Sequence, residues 1–442
     1  MLYPVLRAVV AFALRSFYRL EVRAVPGAPV PTEGPVLFVG NHPNGMVDPA
    51  ILFAVLPRQV TFLAKSTLFQ LPVLGALLRG LGALPVYRKQ DDPSLMTKNE
   101  GSLEAAAEAL CEGRAITLFP EGKSHSEPQL AELKTGAARI AFRVARRGAP
   151  LQVVPVGLTY GEKQRFRSRV LVQFGAPVAV APFLPAAVEE EPAQVRALTD
   201  RMATELRGVT LNLAQWEDLP LVKLADRLYS LSVNEAPEDP ERVARFARGL
   251  QLFRDEQPER FEALRERMAA FQRRLELVQA TPDQLSLEYR AWPVVRFALK
   301  HAALLLAGLP LYALGVVLYA APYQLARWVI RGKAVELDLQ ATFKLLALLG
   351  LGPPWVAACA AGAGWLFGVK VALAVVLASV PLAGFTGYFV AHAAEVRRDV
   401  AAFFALASRA RLKAGLLGEG GQLRAEVEAL AGEYRARVVA AG

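Results

Sequence analysis

The chain has 442 residues, of which 53% are hydrophobic, 51 are basic and 41 acidic, and its mean hydropathy is +0.27. That length exceeds one ordinary core, and so apolar yet so charged a composition fits soluble and membrane parts in one polypeptide better than either alone. A net charge of +10 suits a nucleic acid, an anionic leaflet or an anionic substrate alike, while two distant cysteines, Cys111 and Cys359, argue against a disulfide framework or a Cys-based zinc site and for a reducing compartment.

Residues 1–24 open with MLYPVLRAVVAFALRSFYRL, an apolar run interrupted by Arg7, Arg15 and Arg19 and followed by no small-residue cleavage site. It is a poor signal peptide. The pattern is that of a helix lying in a membrane interface, and equally of a helix packed on the domain that follows. From about 35 to 175 short apolar runs alternate with helical stretches. VLFVG (36–40), VTFLA (60–64), ALPVY (83–87), AITLFP (115–120), LQVVPVGL (151–158) and RVLVQFG (169–175) read as strands, and 98–112 and 134–147 as helices. Residues 25–182 therefore read as an α/β domain, a mixed sheet flanked by helices.

Charged helices follow over 183–290. Phe261, Leu264, Met268, Phe271, Leu275 and Val278 recur at spacings of three and four, which predicts one stripe for packing within the chain rather than a coiled-coil dimer. Over 291–395 three runs, 302–323, 345–369 and 371–394, hold no Asp, Glu, Lys or Arg, and each exceeds the ~20 residues that cross a bilayer. Pro310, Pro322, Pro353, Pro354 and Pro381 leave re-entrant hairpins open beside two or three spans. Basic residues stand on both sides of the first run, at Arg296 and Lys300 and at Arg327, Arg331 and Lys333, so charge bias does not fix its orientation. Residues 396–442 read as a helical tail.

Chemistry is expected where polar residues follow strands. After the first comes Asn41-His42-Pro43-Asn44-Gly45-Met46-Val47-Asp48. A histidine near its free pKa takes a proton from a hydroxyl, and a carboxylate on its other nitrogen fixes the tautomer; an incidental hydrogen-bonded pair gives the same pattern. After AITLFP stands Glu121-Gly122-Lys123-Ser124-His125. Gly-Lys-Ser has the look of a P-loop, but the first glycine of that motif falls at Thr117, which excludes it. Pro-Glu-Gly instead makes a sharp turn able to set Glu121 and nearby amides against a hydroxyl or phosphate. Arg88 and Lys134 add cations that suit phosphate or a solvated surface. No HExxH, GxSxG or CxxC pattern occurs.

Taken in order, these loops resemble the four blocks of the PlsC-type glycerophospholipid acyltransferase superfamily. Asn41-His42 with Asp48 is similar to its first block, Gly82 to Arg88 to its second, Phe119-Pro120-Glu121-Gly122 to its third and Val154-Pro155-Val156 to its fourth. The family usually places four residues between His and Asp; here there are five, so the loop must bulge, which Gly45 permits. Lys123-Ser124-His125 replaces the usual Thr-Arg-Ser, removing an arginine associated with phosphate. The stretch FPEGKSHSEPQLAELKTGAARIA resembles a bacterial and fungal branch that acylates glycerol 3-phosphate or dihydroxyacetone phosphate.

The resemblance implies a membrane-bound O-acyltransferase with His42 and Asp48 catalytic, and with Asn41, Arg88, Glu121, Gly122, Lys123 and Lys134 binding substrate. It further implies no metal or cofactor, acyl-CoA or acyl carrier protein as donor, a glycerol phosphate acceptor, and no nucleic acid. The expected place is the inner cell membrane, with the catalytic domain on its cytoplasmic face. Lysophosphatidic acid as acceptor is the nearest alternative, and a membrane scaffold or transporter a remote one.

Overall fold

The computed structural model describes every residue except 1, 89–92, 96, 287–290, 333–336, 408 and 442. Two compact units divide it, Met1–Asn212 with Val335–Thr342, and Leu213–Ala334 with Phe343–Gly442.

In the first unit the chain runs α1 (Leu2–Phe17), β1 (Arg19–Ala24), β2 (Val36–Gly40), α2 (Val47–Val55), β3 (Val60–Lys65), α3 (Pro72–Gly80), β4 (Leu84–Val86), α4 (Lys98–Cys111), β5 (Ala115–Leu118), α5 (Gly136–Arg146), β6 (Gln152–Tyr160), β7 (Arg169–Phe174) and α6 (Glu191–Gly208). All six strands read from the apolar runs are present. Their order is β1-β7-β6-β2-β5-β3-β4; every neighbouring pair is parallel except β6 with β7. One face carries α4, α5 and α6 over Leu37, Ile116, Leu118 and Val153. Alternating residues of the same strands point to the opposite face, where Phe53 of α2 meets Phe62 and Tyr3.

Several expectations change here. The helix read over 1–24 stops at Phe17, and Arg19–Ala24 forms an edge strand on β7; Leu20, Val22 and Ala24 alternate with Arg19, Glu21 and Arg23, a period of two rather than 3.6. Arg7 donates to the carbonyls of Ala54 and Leu56, which α2 leaves unpaired at its end. The helix buries Ala13, Leu14 and Phe17 while Val5, Val9 and Phe12 stay exposed on one stripe, so it packs on the sheet domain and keeps an outward apolar face. Helix α6 joins this unit rather than the helical region after 182, because Val195, Leu198, Met202 and Leu206 bury against the sheet. Its end lies so close to β6 that a Cβ on Gly157 would stand 1.8 Å from the Val209 carbonyl oxygen. Helix α3 lies at the surface, with Leu71 and Val73 exposed.

The second unit gathers α7 (Leu219–Val233), α8 (Pro240–Glu256), α9 (Pro258–Leu277), α10 (Pro282–Leu285), α11 (Ala291–Gly332), α12 (Leu337–Phe367) from Phe343 onward, α13 (Val369–Ala407) and α14 (Ala410–Ala441). The stripe on α9 packs within the chain: Phe261, Leu264, Met268, Phe271 and Leu275 share a core with Leu224 and Leu228 of α7 and Leu416, Leu423 and Val427 of α14. The C-terminal tail thus completes the helical region. Prolines 310, 322, 353, 354 and 381 sit inside continuous helices, not hairpin turns. Among the described residues two stretches, Val294–Leu325 and Val369–Ala407, are long and apolar enough to cross a membrane. The charge-free run 345–369 is helical to Phe367 and breaks at Gly368, with φ of +91°. Helices α11 and α13 touch through small residues, since a Cβ on Gly315 would lie 1.8 Å from Thr386 Oγ1. The basic flank at Lys333 lies outside the described residues.

Candidate active site

Strands β2 and β5 are parallel neighbours with Val39 in register with Leu118, so the segments that follow them meet at the C-terminal edge of the sheet, where open α/β folds bind ligands. Gly40 allows the approach, for its missing Cβ would stand 3.1 Å from the Phe119 ring. That ring stacks on His42 with centroids 4.3 Å apart.

His42 Nδ1 lies 2.8 Å from Asp48 Oδ2. Asp48 sits in the first turn of α2, at its positive end, with no exposure to solvent. A carboxylate out of water needs donors on both oxygens. Oδ2 also accepts from the Asn44 amide at 2.6 Å, and Oδ1 accepts from the Tyr160 hydroxyl at 2.5 Å. Burial, and then the charge of Asp48, raise the Tyr160 phenol well above the usual tyrosine range, which keeps it a donor. Tyr18 is raised too, chiefly by burial; it accepts from Asn44 Nδ2 at 3.3 Å and donates to the Lys163 carbonyl. Gly45 takes φ of +45°, so the extra residue between His and Asp is absorbed in a left-handed turn. With Nδ1 committed to Asp48, Nε2 of His42 meets no partner among the described residues. The ring remains 19% exposed, which leaves that nitrogen reachable.

Glu121 is only 3% exposed and is spent on the protein itself. Its Oε1 accepts the His42 amide at 2.6 Å; its Oε2 accepts the Ala131 amide at 2.8 Å and His125 Nε2. His125 Nδ1 accepts from the Glu127 amide, which puts the ring proton on Nε2, and the His125 amide donates to the His42 carbonyl at 3.2 Å. Glu121 therefore ties the two loops together. Asn41 is likewise engaged within the protein. Its amide donates to the Leu158 carbonyl at 3.0 Å and accepts from the Leu158 amide at 2.7 Å, extending the β2–β6 ladder by one rung. The cations gather elsewhere: Arg88 Nη1 donates to the Gly122 carbonyl at 3.0 Å, and the stem of Lys134 packs over Gly122, whose φ of +75° makes the turn. Lys123 is the next residue and is exposed.

Tyr160 and Tyr18 were not singled out in the sequence. The alternation of LQVVPVGL continues through Thr159 to Tyr160, and that continuation was the available signal.

The Acyltransferase family model matches residues 22–159. Residues 22–159 are an acyltransferase domain. Beyond it, an uncharacterised acyltransferase of Schizosaccharomyces pombe is 23% identical over 77% of this chain and 65% of its own length. Glycerol-3-phosphate O-acyltransferase 1 of Saccharomyces cerevisiae is 24% identical over 58% of this chain and 46% of its own. A 1-acyl-sn-glycerol-3-phosphate acyltransferase of Streptococcus pneumoniae is 27% identical over 39% and 59%. The chain thus spans about half to two thirds of the length of these relatives. A crystal structure of the 1-acyl-sn-glycerophosphate acyltransferase PlsC of Thermotoga maritima aligns with a TM-score of 0.33 and 20% identity, covering 48% of this chain and 82% of that one. Within the acyltransferase domain lie His42, Asp48, Arg88, Glu121 and both loops; Tyr160 follows directly after it.

Proposed function

We propose that the protein moves a fatty acyl chain from a thioester, on coenzyme A or acyl carrier protein, to the hydroxyl of glycerol 3-phosphate at a membrane surface. The observation that carries this reading is the imidazole of His42, tied through Nδ1 to a fully buried Asp48 and open at Nε2. Nε2 takes the proton of the acceptor hydroxyl as its oxygen attacks the thioester carbonyl. The carbon–sulfur bond then breaks, and the leaving thiolate receives that proton from the imidazolium. Asp48 holds the ring and stabilises its charged form. No acyl-enzyme is required. Glu121 and His125 keep the two loops in register; Arg88, Lys123 and Lys134 around the Gly122 turn supply a cationic seat for the acceptor phosphate.

Glycerol 3-phosphate is favoured over lysophosphatidic acid because similarity to the yeast protein named for that acceptor extends over 58% of this chain, against 39% for the pneumococcal one. The exposed Val5, Val9 and Phe12 and the two long apolar helices support attachment to a bilayer, and on this reading the catalytic domain lies on the cytoplasmic face of the inner membrane.

The test is acyl transfer from a labelled thioester by the purified protein, with glycerol 3-phosphate and lysophosphatidic acid as competing acceptors. His42→Ala is expected to lower turnover by about 10²- to 10⁴-fold. Arg88→Ala is expected to raise KM for the acceptor about tenfold with a smaller change in kcat. A folded protein that acylates neither acceptor defeats the substrate assignment; full activity without His42 defeats the mechanism.

A further inference from the structure

The second unit holds an open-mouthed cavity of about 180 Å³ between α7, α8, α9 and α14, and it shares no residue with the site around His42. Its buried walls are apolar, among them Leu221, Phe253, Leu264, Met268 and Val427. A methionine in such a wall adapts its shape to an alkyl chain.

The exposed lining has a definite sign. Glu256 is tied to Arg437, Glu433 to Arg260, and Arg242 to Asp226 and Glu235. Arg245 and Arg435 remain as the lining charges with no carboxylate partner among the described residues. Arg435 lies over the ring of Tyr229, 5.9 Å from its centroid, and its Nε donates to the Ala431 carbonyl at 3.2 Å, which leaves its two terminal nitrogens as donors at the mouth. An apolar interior with two guanidinium groups at the opening that no carboxylate neutralises among the described residues matches one ligand shape: a hydrocarbon tail ending in an anion.

We propose that this cavity binds a single-chain anionic amphiphile, its chain among the apolar walls and its carboxylate or phosphate at Arg245 and Arg435. The bundle is placed to receive one. Ala402 and Leu406, at the C-terminal end of the apolar helix α13, bury in the same core that lines the cavity, so a ligand that partitions into a bilayer reaches this unit directly. A free fatty acid and a lysophospholipid share the required chemistry. The site does not depend on the transfer reaction proposed for His42.

The full-length protein in phosphatidylcholine nanodiscs is irradiated with palmitic acid carrying a diazirine in its chain, and the labelled peptides are mapped by mass spectrometry. Label is expected on 221–268 and 427–437. It should fall about tenfold in the Arg245→Glu, Arg435→Glu double variant, whose two positions are solvent-exposed. Unlabelled palmitate or lysophosphatidic acid displaces it, and the stronger competitor names the natural head group. His42→Ala must label as the parent does, which separates this site from the active site whether or not acyl transfer is observed. Label confined to 1–212 and 291–395, labelling unchanged in the double variant, or displacement by neither competitor overturns the proposal.

Discussion

His42 is positioned by contacts that lie in its own loop and by one that arrives from far along the chain. Asp48 and Gly45 are local, and the His-to-Asp spacing was legible because a six-residue loop can close on itself. Tyr160 reaches Asp48 across 112 residues of sequence, and no local pattern announces such a partner. Tyr160→Phe leaves Asp48 Oδ1 buried and unpaired, so kcat is expected to fall about tenfold at nearly unchanged KM, read from steady-state kinetics. The same phenol gives a pH signature. An unfolded tyrosine ionises near pH ~10 while Tyr160 stays neutral in the fold; above that pH the native state binds more protons than the unfolded one, so stability falls as pH rises. The variant should show a shallower alkaline loss in thermal melts. Asn41 and Glu121 illustrate the opposite limit. Their residue types suited a ligand, but whether a polar side chain faces a substrate or the next strand depends on what the fold packs beside it.

At the scale of elements, the central strands were legible because β2, β5 and β6 are buried on both faces and read as continuous apolar runs bounded by turns. Strand β1 was not: with alternate residues charged and Val22 half exposed, it merged with the arginine-punctuated helix before it. Helix α6 was assigned to the wrong unit because its apolar spacing states that it packs, not on what. Close approaches are equally silent in a sequence until a glycine is placed. Gly157 faces the Val209 carbonyl, a backbone group that cannot swing aside, so Gly157→Ala is expected to cost about 1–3 kcal/mol. The loss is measured as a lower midpoint of unfolding, and an unchanged midpoint would contradict the packing of α6 on β6.

For the whole molecule, the division of labour follows the sequence only in part. All the groups around His42 lie in the first unit, while the accessory helices and the tail, separated in sequence by the long apolar helices, make one bundle. With Val294–Leu325 and Val369–Ala407 in the bilayer, high salt or carbonate should leave the protein in the membrane pellet and detergent should release it; release by salt would mean surface adsorption alone. The edge pairing of Arg19 with Arg169 has a further consequence, this time for biosynthesis. At roughly 5–20 residues added per second, the nascent chain exposes β1 on the order of ten seconds before β7 leaves the ribosome. Helix α1 is therefore free to find a lipid surface while its own sheet is still incomplete, and the arrival of β6 and β7 both closes the sheet and delivers Tyr160 to a carboxylate that has been waiting for it.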